Sequence, residues 1–129
     1  MNKIIVEVSI GELLDKISIL EIKQEKIKDH EKLKFISNEH SILKNQLENN
    51  VKIDDTLNKF FQSLKEINAK LWVIEDDKRQ CEKDKEFGEK FIKLSRDVHF
   101  LNDDRAKIKL DINNHTGSSI KEIKEYTSY

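Results

Sequence analysis

The chain has 129 residues, of which 38% are charged, with no proline, three glycines and a formal net charge of −1. Sheets need turn residues at short intervals, so this composition predicts one all-α domain over residues 1–129 and argues against a sheet protein. Positive and negative residues are interspersed, which argues against a nucleic-acid partner. The single cysteine predicts a cytoplasmic protein, and the lack of a long apolar stretch predicts that it does not insert into membranes.

The first predicted element is a long helix over about 10–49, preceded by an extended lead-in over 1–9. Ser9 and Glu12 form the S-x-x-E capping box that opens helices, and nothing in the sequence interrupts the pattern clearly before Asn49 and Asn50. The start of this helix is apolar on more than one side, which we interpret as a homodimer interface. The alternative is that the N-terminal segment and the C-terminal helix fold over it.

Two more long helices are predicted over 54–86 and 89–115. Asp54 is placed to cap the first of them, Gly88 separates the two, and Gly117 is placed to end the second. Ser119 and Glu122 repeat the capping-box spacing and predict a short helix over about 120–126. Short connections between long helices predict an elongated antiparallel three-helix bundle or a coiled-coil hairpin with a third helix packed on it.

Polar residues interrupt the apolar stripe of every long helix. Because 21 of the 24 basic residues are lysine, the arginines stand out, and arginine is preferred where a carboxylate or phosphate is held in a partly buried place. We predict a polar cluster that binds a small anionic ligand or a protein partner, with its acids paired to its bases. The alternative is an ionic layer that only fixes helix register. The cluster consists of Glu21, Gln24, Asn68, Glu75, Arg79, Glu82, Asn102, Arg105 and Lys109.

Metal and cofactor chemistry has little support in the sequence, and we expect neither. No histidine stands in E-x-x-H spacing with an acid, and Cys81 has no histidine nearby in the sequence. Glu12 and Asp15 do share the E-x-x-D spacing of magnesium-binding helices in all-helical nucleotide pyrophosphohydrolases. A small Mg-dependent hydrolase acting on a phosphorylated or nucleotide substrate is therefore the alternative function, although the second acidic motif of such enzymes is missing from the second long helix.

Four stretches carry a resemblance to a known family: "VSIGELLDKISILEIKQEKI", "LWVIEDDKR", "FIKLSRDVHFLNDDRAKIKLDIN" and "GSSIKEIKEY". They resemble an uncharacterised bacterial and phage group of small helical proteins that carries only a domain-of-unknown-function label. The resemblance implies a stand-alone helical protein without an established activity, encoded in some cases near surface-polysaccharide glycosyltransferases. We therefore expect a helical binding or accessory protein linked to surface-polysaccharide assembly. The positions that match the family pattern are Gly11, Glu12, Asp15, Lys16, Trp72, Glu75, Asp76, Asn102, Asp103, Arg105 and Ala106.

Overall fold

The structure is a computed structural model that describes residues 2–129. It contains four helices: α1, Ile10–Lys26; α2, His30–Asn50; α3, Asp55–Lys83; and α4, Glu89–Thr116. No strand occurs within the described residues, which confirms the all-α class. Helix α1 contacts each of the other three helices, and α3 packs along α4. The first helix is therefore the central element of the fold.

The predicted single helix over 10–49 is wrong, because the chain leaves the helical conformation between α1 and α2. Ile27 adopts an extended conformation, with φ −87° and ψ 133°, and closes α1. Two residues later, Asp29 accepts the backbone N–H of Lys32 at 3.1 Å and caps α2. Neither proline nor glycine lies at this turn, so the usual sequence signals for a helix break are missing here.

The break allows α2 to fold back along α1. Ser37 of α2 accepts a hydrogen bond from Gln24, and His40 contacts the carboxylate of Glu21 at 3.1 Å. The apolar face of α2 is buried in this arrangement through Leu47, which belongs to the same core cluster as α1. Burial of apolar side chains stabilises the folded chain, so tertiary packing outweighs the helical preference of residues 27–29.

The bounds of α3 and α4 follow their capping residues. The carboxylate of Asp54 accepts the backbone N–H of Leu57 at 2.8 Å and caps α3. Gly88 is the residue before α4, and Gly117 ends that helix in the left-handed conformation, with φ 68°. Glycine adopts this conformation without the steric penalty that a side chain would bring.

The predicted helix over 120–126 is also wrong, since residues 118–129 contain no helix. Glu122, one of the two residues that were expected to cap it, makes tertiary contacts instead. The carboxylate of Glu122 accepts a hydrogen bond from Ser9 and lies 3.6 Å from the Lys109 ammonium. The hydroxyl of Ser118 donates to the Ile120 carbonyl. The C-terminal segment therefore makes tertiary contacts with α1 and α4 in place of its own helical hydrogen bonds.

The core lies where α1 is surrounded by the other helices. Its buried residues come from all four helices: Leu14 and Ile17 from α1, Leu47 from α2, Leu57 and Leu64 from α3, and Ile112 from α4. Leu20 and Ile22, further along α1, are also buried. Most of the apolar residues at the start of α1 are thus covered within one chain, and the homodimer interface stays a prediction. Within the described residues, none of the helices combines the length and apolarity needed to cross a bilayer.

Candidate functional site

The first turn of α1 is held by side chains from both ends of the chain. The first four N–H groups of a helix have no partner within it, and polar side chains can satisfy them. Ser118, Asn113 and Ser9 accept the N–H groups of Ile10, Gly11 and Glu12, at 3.1, 2.7 and 3.0 Å respectively. These hydrogen bonds fix the start of α1 against the end of α4 without the help of a charged pair.

Gly11 allows the backbones of α1 and α4 to approach closely. A Cβ atom at this position would lie 2.5 Å from the carbonyl oxygen of Lys109 and 3.0 Å from the Asn113 side chain. Any residue larger than glycine would push the two helices apart. Glycine in a helix is less favourable than alanine by about 1 kcal/mol, so its presence in the first turn was the sequence signal for this contact.

A buried ion pair joins α1 to α4 one turn further along. Asp15, which is 2% exposed, accepts two hydrogen bonds from Arg105: Nε donates to Oδ1 at 2.9 Å and Nη2 donates to Oδ2 at 2.5 Å. The third guanidinium nitrogen, Nη1, lies 3.4 Å from the Asn102 side-chain oxygen. This parallel pairing of a guanidinium with a carboxylate is the strongest geometry available to the two groups.

Helix α3 joins this pair through an amide. The Asn68 side-chain nitrogen donates to Asp15 Oδ1 at 2.8 Å and to the Ser18 hydroxyl oxygen at 2.8 Å. Ser18 in turn donates to the backbone carbonyl of Asp15 at 2.7 Å. Asp15, Ser18, Asn68 and Arg105 form what we call the inner polar layer. Within the described residues, no buried side-chain nitrogen or oxygen lacks a hydrogen-bond partner.

The charged state of the inner polar layer follows from these contacts. Burial by itself raises the pKa of Asp15, but hydrogen bonds from Arg105 and Asn68 outweigh burial and hold the pKa below its usual value. The same hydrogen bond with Asp15 raises the pKa of Arg105. Both groups are therefore ionised at neutral pH, and their charges offset each other.

A second ion pair lies beside the inner polar layer. The Lys109 ammonium donates to the Glu12 carboxylate at 2.5 Å, and the Lys109 side chain is only 11% exposed. Burial raises the pKa of Glu12, while the hydrogen bond and charge of Lys109 lower it by more, so that the pKa lies below its usual value. Glu12 therefore pairs with α4 and not with Lys16, the lysine four residues further along its own helix.

An open cleft lies outside the inner polar layer, between α1, α3 and α4. Its volume is about 340 Å³, which is at the lower end of the range for small-molecule sites. Three of its charged residues, Glu75, Asp76 and Arg79, form no ion pair within residues 2–129. We call it the Trp72 cleft. It is lined by Ile19, Ile22, Asn68, Leu71, Trp72, Glu75, Asp76, Arg79 and Arg105.

The structure brings together part of the predicted polar cluster. Asn68, Glu75, Arg79 and Arg105 all line the Trp72 cleft, and Asn102 is in contact with Arg105.

The remaining members of the predicted cluster lie elsewhere. Lys109 is in the second ion pair. Glu21 contacts His40 and Lys65 between α1, α2 and α3, at 3.1 and 3.4 Å. Gln24 contacts α2, and Glu82 is exposed near the end of α3. These residues lie apart because the predicted helix over 10–49 is broken into α1 and α2.

Most of the positions that we expected from the family resemblance lie in two places. Gly11, Glu12 and Asp15 hold α1 against α4, and Trp72, Glu75 and Asp76 line the cleft. Lys16 is exposed, and the exposed carboxylate of Asp103 accepts a hydrogen bond from the Tyr129 hydroxyl. Asp15 is not a member of the predicted polar cluster, although no base in its own helix is spaced to pair with it. It is the partner of Arg105.

The acidic residues of the described part of the chain are spread apart or already paired. Across residues 2–129, no three His, Cys, Asp or Glu side chains are grouped closely enough to hold a metal ion. Glu12 and Asp15, the two acids in E-x-x-D spacing, are already paired with Lys109 and Arg105.

Comparison with protein families decides where the chain belongs. A model of a family of unknown function, DUF6165, matches residues 4–129. The chain is a member of this family. No curated protein and no solved structure was found to match the chain. The family match therefore covers both the inner polar layer and the Trp72 cleft and attaches no activity to either.

Proposed function

We propose that this DUF6165 protein is a small helical binding module whose ligand occupies the Trp72 cleft. The observation that carries the proposal is the contrast between the cleft and the inner polar layer. Its apolar residues lie beside Glu75, Asp76 and Arg79, which have no ion-pair partner within residues 2–129, whereas Asp15 and Arg105 of the neighbouring inner polar layer are paired with each other. Sites for small molecules commonly combine an apolar lining with a few convergent polar groups.

This division supports a combination of the two interpretations of the polar cluster. Asp15, Ser18, Asn68 and Arg105 satisfy one another and tie α1 to α3 and α4, which is the behaviour of a structural layer. Glu75 and Arg79 are exposed on the cleft side of that layer. The structural layer therefore supports the site, and the ligand contacts come from the cleft.

The biological setting stays a proposal that rests on family resemblance. We infer an accessory role in surface-polysaccharide assembly, in a cytoplasmic protein that recognises a small ligand or a partner protein. The homodimer predicted from the sequence also belongs to this proposal. The alternative, a Mg-dependent hydrolase, would need Glu12 and Asp15 as metal ligands, and both carboxylates already have cationic partners.

Trp72 provides the test, because it is the only tryptophan in the chain and lines the cleft. Its fluorescence should be titrated with sugar phosphates, nucleotides and sugar nucleotides, with and without Mg²⁺, alongside thermal melts. A saturable change without Mg²⁺, accompanied by a raised melting temperature, is expected, because a ligand stabilises the state that it binds. Binding that requires Mg²⁺ and is followed by hydrolysis would favour the hydrolase.

The chain offers a matched pair of arginines for this experiment. Arg79 and Arg96 are both exposed, but only Arg79 lines the cleft. Arg79→Ala should weaken the fluorescence response to the ligand, whereas Arg96→Ala should leave it unchanged. Equal responses in the two variants would show that the ligand binds outside the cleft.

A further inference from the structure

The charges of the Trp72 cleft do not suit a purely anionic ligand. Glu75 and Asp76 each carry a negative charge, and Arg79 carries one positive charge. Arg105 also lines the cleft, but Asp15 offsets its charge through two hydrogen bonds. The side chains that meet a ligand therefore sum to about one negative charge at neutral pH. An anionic ligand would be repelled unless it also carried a positive group.

Arg105 nevertheless keeps hydrogen-bond donors for a ligand. A guanidinium has five N–H groups in a fixed plane. Asp15 engages one on Nε and one on Nη2, and Asn102 accepts a long hydrogen bond of 3.4 Å from Nη1. The Arg105 side chain is 29% exposed. Its orientation is thus fixed on the Asp15 side, and its remaining N–H groups can donate to an anionic oxygen without a further loss of side-chain freedom.

Glu75 and Asp76 require the opposite chemistry. Ionised carboxylates accept hydrogen bonds and cannot donate them. They are adjacent in the sequence on α3, and both line the cleft. Among the groups that a small ligand can carry, an ammonium offers three donors together with a positive charge. A hydroxyl offers one donor and no charge, so it would leave the repulsion in place.

We infer that the Trp72 cleft takes a small zwitterion, with its ammonium group beside Glu75 and Asp76 and its carboxylate or phosphate beside Arg79 and Arg105. This inference rests on the proposed function, because it specifies the ligand of the same cleft. The apolar part of the ligand lies against Trp72 and Ile19. Two classes of compound share this chemistry, namely amino-sugar phosphates and apolar amino acids.

The test compares ligands that differ either in the ammonium group or in the phosphate group. Trp72 emission of the full chain is followed at slightly acidic pH, where the amines are protonated. The first series uses glucosamine 6-phosphate, glucose 6-phosphate and glucosamine. The second uses leucine and 4-methylpentanoate. The zwitterion of one series should bind about two- to fivefold more tightly than its partner without the amine, as expected for exposed charge contacts. The series that responds identifies the class of ligand.

A pair of variants assigns the effect to the two carboxylates. The double variant Glu75→Gln, Asp76→Asn should remove the preference for the amine while keeping the thermal melt of the wild type. Glu66→Gln changes an exposed acid of α3 outside the cleft and should retain the preference. Loss of the preference in both variants would overturn the assignment to Glu75 and Asp76.

The outcomes separate the inference from the proposed function. If glucose 6-phosphate or 4-methylpentanoate binds as tightly as its amino counterpart, the cleft remains a binding site, and the zwitterion is overturned. If no probe of either series changes Trp72 emission, the inference is overturned. If the wider panel of nucleotides and sugar nucleotides also fails, the proposed function falls with it.

Discussion

The inner polar layer and the Trp72 cleft contain the same kinds of residue and use them differently. In the layer, Asp15 and Arg105 are paired through two hydrogen bonds, and the carboxylate is almost completely buried. In the cleft, Glu75 and Arg79 are exposed and have no ion-pair partner among the described residues. Arginine and carboxylate therefore do not by themselves identify a binding site. The distinguishing property is whether their hydrogen-bonding capacity is already used within the chain.

The largest expected effect comes from breaking the buried pair. Arg105→Ala leaves the Asp15 carboxylate buried with only Asn68 to satisfy it, and removal of one partner of a buried ion pair costs about 3–5 kcal/mol. Urea unfolding should show this loss in the free energy of unfolding. Arg96→Ala, which removes an exposed arginine from the same helix, should change it by less than about 0.5 kcal/mol. Similar values for the two variants would contradict the assignment of Arg105 to the layer.

The next effect concerns the close approach of α1 and α4. Gly11→Ala places a methyl group 2.5 Å from the Lys109 carbonyl oxygen, and overpacking of this kind costs about 1–3 kcal/mol. Gly88→Ser is the control, because a Cβ there meets no atom within 4 Å and serine is a favoured N-cap residue. Thermal melts should show a lower melting temperature for Gly11→Ala and an unchanged or higher one for Gly88→Ser. The opposite order would show that the helices are not in contact at Gly11.

A smaller effect is expected from pH. The pKa values of Asp15 and Glu12 are lowered in the folded chain, so the unfolded state binds protons first as pH falls. Their contribution to stability is present above the unfolded values of about 4 and is lost as pH falls through the lower folded values. Urea unfolding between neutral pH and about pH 3 should show this decline. Asp15→Asn should decline less steeply, and an equal slope would exclude Asp15 as a source.

The smallest effect on stability is expected in the cleft itself. Glu75→Gln and Arg79→Ala change exposed side chains without ion-pair partners among the described residues, so the free energy of unfolding should change by less than about 0.5 kcal/mol. Urea unfolding checks this directly. A loss of 2 kcal/mol or more would place these residues in the structural layer and remove the contrast between the two regions.

Part of this fold could be predicted from sequence because it depends on local chemistry. Helix caps act within a few residues. The structure shows the predicted caps at Ser9 and Asp54 and the predicted helix end at Gly117. The break after Lys26 could not be predicted in the same way. It depends on α2 packing back onto α1, which is a long-range contact. The predicted helix over 120–126 failed for a similar reason, since Glu122 contacts Ser9 and Lys109.

The site was predictable to a comparable extent. The rarity of arginine pointed to Arg79 and Arg105, and both line the cleft. Asp15 had no evident partner in its own helix, which was a signal that it pairs across the fold. Pairing Asp15 with Arg105 requires the alignment of α1 on α4. In this alignment Gly11 contacts Asn113, and Asp15 contacts Arg105. Sequence periodicity gives the face of a helix but not its neighbour.

The central claim is that the ligand binds in the Trp72 cleft, outside the inner polar layer. The most direct test titrates Trp72 emission of the wild type and of Arg79→Ala with the tightest-binding zwitterion. We predict that both proteins unfold at the same urea concentration and that Arg79→Ala binds about two- to fivefold more weakly. Equal affinity in the two proteins would contradict the placement of the ligand in the Trp72 cleft.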